Sequence, residues 1–409
     1  MERLLKRVAL LGACLLATTT PRFAAALEYH ALLDLRLVDS HGDPSWVQGG
    51  LGTLRFDGDH DGLRLGQLSL ALRQDLSDTL RLNLDAVAYG DHDRNAVDLT
   101  EAYLEWRPWP SRYFRSRAKL GAFYPEISFE NVLPSWRSPY SVSWSAVNSW
   151  LGEEIRTIGA EYRLDWLGQH NGGAFDVSGI VGVYGLDDPA GTLMATRGWA
   201  LHDRQTTLFG RVGRPGEEVD IRRMFAEIDH RPGYYAGAEL AYRETATLRA
   251  LHYDNRGDGT SVAPSLNAIS WLTRFDSLGL QLTPTDHLTV IAQYLNGYTW
   301  INPFIPFKWD FDAGFLLASY EQGRYRLTLR RDWFGMQQVK GMGANRETGS
   351  AWTAAAMLHL DAHWSVAAEG LWVDSTLDYR SDAGLPPRAA ERSLTLSLRY
   401  ALDGALPAR

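Results

Sequence analysis

From about residue 60 onward the chain repeats segments of roughly 10 residues in which apolar and polar side chains alternate, the period-two signature of a strand with two different faces. In 393–400, Leu394, Leu396, Leu398 and Tyr400 point one way, and Ser393, Thr395, Ser397 and Arg399 the other. Tyr325, Leu327 and Leu329 alternate with Arg324, Arg326, Thr328 and Arg330, and Leu80, Leu82 and Leu84 with Arg81, Asn83 and Asp85. The same pattern recurs in 158–166, 175–183, 288–294, 311–317, 352–360 and 364–372, with no helical period of comparable length against it. Strands of a soluble β-sandwich average about 5 or 6 residues. Segments twice that long, ending in Tyr and Trp, predict a membrane wall with one face to lipid, one to water, and aromatic girdles at its rims.

Connections alternate between short and long, as they do when tight turns face the periplasm and loops face outward. The short ones, at 75–78, 109–111, 231–233, 284–286, 321–323 and 361–363, carry Pro, Gly, Asp and Ser turn chemistry. The long ones span 39–62, 125–153, 187–218, 254–267, 335–349 and 375–390. The strands between them, from 28–38 to 391–401, number about sixteen. The fold class is therefore all-β, a transmembrane antiparallel β-barrel with both termini at the turn end. The stretch 234–254 is read as one long strand with a bulge near Glu244-Thr245; a hairpin there would make eighteen. A barrel this wide leaves a water-filled lumen unless something plugs it.

The N-terminus adds a destination. Arg3, Lys6 and Arg7 precede an apolar run, 8–17, and Ala24-Ala25-Ala26 forms a small-residue cleavage pattern, so residues 1–26 read as a secretory signal peptide and 27–409 as an outer-membrane barrel. The only cysteine, Cys14, lies in that apolar run, which leaves the mature chain without a disulfide or thiolate chemistry. Removing 1–26 takes away Arg3, Lys6, Arg7 and Arg22 against Glu2, and the formal charge of −8 becomes more negative by three. So acidic a chain is a poor partner for nucleic acid, which demands a basic surface; the partners expected are outer-membrane lipid and small hydrophilic solutes or ions.

Between the fifth and sixth strands runs PEISFENVLPSWRSPYSVSWSAVNSWLGE, residues 125–153, flanked by KLGAFYPEISFEN and EEIRTIGAEYRL. Here the chain resembles bacterial outer-membrane porins, and more weakly the phosphate-selective porin-like group, in which a strand ending in Gly-x-Phe leads into a loop that folds into the lumen. At motif level the resemblance covers about residues 112–166. It implies a constriction loop at 125–153, a homotrimer, and a passive channel. One departure is the C-terminus: such barrels commonly end in an aromatic residue, whereas this chain continues past Tyr400 with ALDGALPAR.

Charged side chains along a lumen set its selectivity. Arg115, Arg117 and Lys119 share one face of the fifth strand, and Arg324, Arg326 and Arg330 form a second inward row, with Arg163 and Arg399 as single contributions. The resemblance to phosphate-selective porins would give the first row an anion-selective role. Against it, Glu101, Glu105, Glu161, Asp165, Glu227 and Asp229 share the inward phase, which makes a mixed-charge wall the plainer reading. In the constriction loop the candidates are Glu126, Glu130, Trp136, Arg137, Tyr140 and Trp144, beside Trp150. The aromatics could stack on solutes, or they could form the small core that holds an inward loop in place.

The run Asp57-Gly58-Asp59-His60-Asp61-Gly62 opens like a calcium loop, but Leu68 stands where the twelfth-position carboxylate is wanted. A solvated acidic turn accounts for Asp57, Asp59 and Asp61 as well as a metal does, and no cofactor is expected. No nucleophile, base and orienting acid stand out, so an enzyme is not expected. Two functions remain: a porin-like channel for passive diffusion of small hydrophilic solutes or ions, and a closed barrel with a structural or surface-binding role. Whether the lumen continues past Trp136 and Trp144 separates them.

Overall fold

The alternation is realised as sixteen antiparallel strands hydrogen-bonded in chain order into a closed barrel. The computed structural model describes residues 26–91, 97–212, 223–264, 268–302, 304–343 and 345–406. The expected signal peptide lies, but for Ala26, outside the described residues. The strands are β1 (Leu27–His41), β2 (Gly62–Ser77), β3 (Leu80–Ala88), β4 (Asp98–Trp106), β5 (Phe114–Phe123), β6 (Thr157–Trp166), β7 (Phe175–Gly185) and β8 (Gly233–Tyr242), followed by β9 (Ala246–Asp254), β10 (Leu272–Thr285), β11 (Leu288–Ile301), β12 (Phe307–Gln322), β13 (Tyr325–Lys340), β14 (Arg346–His359), β15 (Trp364–Leu377) and β16 (Arg388–Leu406). Closure is made by β1 against β16, from Leu27↔Leu406 to His41↔Arg392. No backbone edge is left for lipid to cover, which is what allows a sheet to sit in hydrocarbon. None of the described helices is long and apolar enough to cross a membrane.

The count of sixteen rests on two offsetting corrections. Residues 234–254 form a hairpin, β8 and β9, closed at Tyr242 by Thr245 donating its backbone N–H to the Tyr242 carbonyl. Of the stretch 218–231 expected to supply an eighth strand, the described residues 223–231 are irregular and add none, and 218–222 lie outside the described residues. Glu227 and Asp229 thus sit in a loop, not on an inward strand face. The turn expected at 231–233 leads directly into β8, and the described residues between β7 and β8, 186–212 and 223–232, form no barrel strand.

Two of the expected long loops, 335–349 and 375–390, are shortened by their strands, because β13 continues to Lys340 and β14 starts at Arg346, while β15 reaches Leu377 and β16 starts at Arg388. The residues after Tyr400 are not a loose tail. Through Leu406 they extend β16 and pair with the start of β1.

Outward positions carry Leu, Val, Tyr and Trp and form an exposed apolar face: Leu120 is 61% and Leu396 57% exposed. Toward the short turns the wall ends in Trp106, Phe114, Trp166, Phe175, Tyr242, Tyr320, Tyr325, Trp364 and Tyr400, and toward the loops in Tyr294, Trp333, Trp352 and Trp372. These are the two girdles of a membrane barrel. On β12 the alternation is inverted. Phe311, Ala313, Phe315 and Leu317, the more apolar face, point inward and are buried, whereas Asp310 and Asp312 point out. That part of the interior faces a packed core, not water.

Candidate functional site: the lumen and its inward loops

The loop after β5 does fold into the barrel. It carries a helix, α1 (Ala146–Glu154), begun by Ser145, whose hydroxyl accepts the Asn148 backbone N–H, and every residue of α1 is buried. Trp150 reaches the interior of the wall, with ring centroids 5.3 Å from Phe275 and 5.2 Å from Phe311. Trp136 stacks on Tyr124 at 4.1 Å and meets Trp144 edge-on at 5.0 Å. Gly152 lets these two indoles close over the helix, because a Cβ there would lie 2.7 Å from Trp144 and 3.0 Å from Trp136. Trp136, Tyr140 and Trp144 are all under 10% exposed. They form the core of the loop and offer little face to a solute.

Inward carboxylates of β13 to β16 hold this packing, each accepting backbone amides from a loop. Asp332 accepts the Ala146 N–H at 3.1 Å; Glu369 accepts those of Val142 at 2.6 Å and Ser143 at 2.9 Å. Glu347 accepts the Trp199 N–H at 3.0 Å and Glu391 that of Thr53 at 2.8 Å. Arg330 gathers the centre. Its guanidinium meets Glu130 at 2.7 Å and Asp332 at 2.8 Å, and donates to Ser141, Thr353 and the carbonyls of Ser143 and Trp144. Arg330, Glu130 and Asp332 have fully buried side chains. Glu130 also accepts from Ser145 and Asn148 at the start of α1.

A second segment, missed in the sequence, folds into the barrel interior at the loop end. After α2 (Thr192–Arg197), residues 198–207 run inward and are nearly all buried. Asp203 lies between Arg36 of β1, at 2.5 Å, and Arg55, at 2.8 Å, and Arg55 also holds Asp91 at 2.9 Å. Arg197 pairs with Glu153 of α1, His202 lies 3.3 Å from the same carboxylate, and the Thr206 N–H donates to the Gly152 carbonyl. Burial would raise the Glu153 pKa, but Arg197 and His202 outweigh it and bring it down to about 2. In the same way Arg36 and Arg55 overcome burial at Asp203 and hold it well below the carboxylate range. Burial pushes the His202 imidazole below its ordinary value and raises Glu154 to about 7. The Glu154 carboxylate accepts the N–H groups of Gly191, Leu193 and Met194 at the start of α2.

The turn end of the lumen is different. Arg115, Arg117 and Lys119 lie on the inward face of β5, each beside a carboxylate: Arg115 with Asp165 at 2.8 Å, Arg117 with Glu126 and, at 3.8 Å, Glu105, and Lys119 with Glu126 at 3.0 Å and Glu161 at 3.1 Å. Arg163 bridges Glu126, Asp165 and Glu239. Burial acts to raise Glu126, but Lys119, Arg117 and Arg163 overcome it and hold this loop carboxylate well below its ordinary range. The side chains of Arg115 and Arg117 stay 60% and 31% exposed, so these two guanidiniums are partly solvated, whereas Lys119 and Arg163 are buried.

The second expected row is dispersed. Arg324 sits in the exposed turn after β12 and donates to the Leu360 carbonyl at 3.4 Å. Arg326 pairs with Glu321 and lies 5.3 Å over the Tyr140 ring. Arg399 approaches Asp34 at 3.4 Å. Arg137 donates to the Pro134 carbonyl at 2.9 Å, and burial together with Arg399 lowers its pKa to about 10.

In the acidic turn, Asp57 accepts from Ser45, Asp59 and His60, while Asp59 and Asp61 are exposed. The carboxylates that come together among the described residues are others: Asp188, Glu227 and Asp229, within 4.8 Å of one another. Their oxygens accept the N–H groups of Leu186, Ile228, Asp229, His230, Arg231 and Asp258, which stitches the long loop.

No family model matches the chain, and no curated protein matches it. Solved structures do. DcaP, an outer membrane channel of Acinetobacter baumannii, is 11% identical, with a TM-score of 0.53 over 94% of this chain and 99% of that one. The trimer form of OmpT, an outer membrane protein of Vibrio cholerae, is 12% identical, with a TM-score of 0.52 over 93% and 100%. OmpF of Salmonella typhi, in complex with daunomycin, is 10% identical, with a TM-score of 0.51 over 92% and 97%. At such identities the likeness is one of fold: this chain has the sixteen-stranded architecture of outer-membrane barrels.

Proposed function

We propose that this protein is an outer-membrane channel for passive diffusion of small hydrophilic solutes, its path running beside β2 to β8 and not through the aromatic half of the lumen. The observation that carries this is the partly solvated cluster of Arg115, Arg117, Glu105 and Glu126 on β4, β5 and the start of the inward loop. A barrel meant only to be solid would fill that space with side chains like those around Trp150. The cations of the row are matched by carboxylates, so weak selectivity suits this wall better than the strong anion preference of a phosphate-selective pore. Assembly as a homotrimer and export through a cleaved signal peptide belong to the same reading.

The second reading, a closed barrel with a binding or structural role, draws on the buried strap 198–207 across the loop end. The two are separated by planar-bilayer recording of the refolded chain from residue 27 in a potassium chloride gradient. Stepwise conductance with a small reversal potential supports the channel. Silence from a verified folded barrel would give the lumen to the second reading.

A further inference from the structure

The outer surface of β13 to β16 is not uniform. The outward side chains of β14 and β15 shrink to Ala354, Ala356, Ala368 and Gly370, between leucine ridges on β13 and on β16. They floor a trough of about 770 Å³ on the lipid-facing wall. At Gly370 the Trp372 ring folds back over the backbone, where a Cβ would lie only 2.4 Å from it. The trough thus ends, toward the loops, at an indole.

Two cations flank that end. Register places Arg331, Trp352, Trp372 and Arg392 side by side on four successive strands. All four point outward, and the Arg331 guanidinium lies 5.0 Å over the Trp352 ring. Among the described residues neither Arg331 nor Arg392 has a carboxylate within ion-pair distance. The nearby outward acids are already engaged: Asp374 with Arg388 at 2.6 Å, and Asp39, which lines the trough, with His41 at 3.5 Å. An unpaired cation at the edge of an apolar band is costly unless a counter-charge comes from outside the protein. In a bilayer the counter-charge at that depth is a lipid phosphate.

We propose that this trough is a binding site for a lipid of the outer leaflet whose head carries two separated phosphates and several acyl chains. Three strand spacings put Arg331 and Arg392 about 14 Å apart, too wide for one phosphate to bridge and suited to a bisphosphorylated disaccharide. The acyl chains lie along the alanine floor, and the head stacks its apolar edge on Trp352 and Trp372. A second copy of this chain is the weaker occupant, since two unpaired arginines would enter a protein interface without a carboxylate to meet them.

The test is titration of the refolded barrel, in detergent, with bisphosphoryl lipid A, its monophosphoryl form, and phosphatidylglycerol, read by native mass spectrometry and Trp fluorescence. The bisphosphoryl lipid binds at least about tenfold more tightly than the monophosphoryl one, a gap of about 1.4 kcal/mol. R331A/R392A erases that ratio, R331K/R392K keeps most of it, and A356L/A368L weakens all three lipids. All of these positions face lipid, and a retained heat-modifiable band with unchanged circular dichroism verifies the fold. A ratio that survives R331A/R392A, or equal binding of all three lipids, overturns the proposal. So does a concentration-dependent oligomer, lost in A356L/A368L, that retains no lipid.

Discussion

The strands from β10 to β16 have 14 to 19 residues, those from β3 to β9 only 9 to 11. The interiors differ in the same way. The tall wall turns Phe275, Ile291, Leu295, Phe311, Phe315 and Phe334 inward and interrupts them with single carboxylates. The short wall turns inward Glu105, Arg117, Lys119, Glu161 and Arg163. Long loops leave from the short wall and dock on the tall one, which is why the tall wall is apolar inside: it is one half of a core whose other half is α1 and the strap 198–207. A lone inward acid there serves a loop amide, whereas a charged residue on the short wall serves its neighbour and the solvent.

The comparison can be broken most sharply at Arg330. Removing it leaves Glu130 and Asp332 buried without their cation, a loss of about 3–5 kcal/mol. Arg330→Met is expected to lower the urea midpoint of the vesicle-embedded barrel and to expose 125–153 to protease. An uncleaved loop at an unchanged midpoint would mean that the tall wall does not anchor it.

Asp203→Ala should have a smaller effect, about 1–3 kcal/mol, since Arg36 keeps Asp34 and Arg55 keeps Asp91. It should loosen the strap alone. Proteolysis confined to 198–207, with longer or more frequent channel openings, is the expected result, and cleavage in 125–153 would argue against separate anchors.

Acid offers a milder probe. Glu153 and Asp203 have depressed pKa values in the fold, so the stability they contribute is present above the ordinary carboxylate range and is lost as pH falls from about 4.5 toward about 2. His202, also depressed, adds a loss in the same direction that begins below its ordinary value. Glu154 has the opposite sign: raised to about 7, it favours the fold below about 4.5 and costs stability as pH climbs to neutrality. The strap should therefore become protease-sensitive below about pH 4 while α2 does not. Simultaneous release of both would show that they are one unit.

The smallest stability effect is expected from Arg117→Ala. This partly exposed pair contributes about 0–1 kcal/mol, and the change should leave the midpoint nearly fixed while shifting the reversal potential toward cations. A large stability loss with no shift would make Arg117 another anchor.

Much of the wall was legible in the sequence because lipid imposes a period of two. Leu394, Leu396 and Leu398, and the inward phase of Arg115, Arg117 and Lys119, follow from alternation alone. The 311–317 segment misled because alternation identifies two faces but not which medium each meets, and Phe311 and Phe315 meet protein. The 218–231 strand and the 234–254 hairpin exchanged places because Arg231-Pro232-Gly233 has stronger turn chemistry than the Arg243–Thr245 turn that closes the hairpin. Arg330 could not be told from Arg326 by spacing, since only the path of a loop about 190 residues earlier decides which is buried. The strap 198–207 left no periodic signal; its one hint was Trp199 and Asp203 within a stretch otherwise read as outer loop.

The most direct test of the two-walled lumen uses the absence of cysteine beyond Cys14. Arg117→Cys on the short wall and Ala351→Cys on the tall wall would each be exposed to a charged methanethiosulfonate reagent during single-channel recording. The account predicts a stepwise change in conductance for Arg117→Cys and none for Ala351→Cys. Block at Ala351→Cys, with Arg117→Cys unaffected, would contradict it.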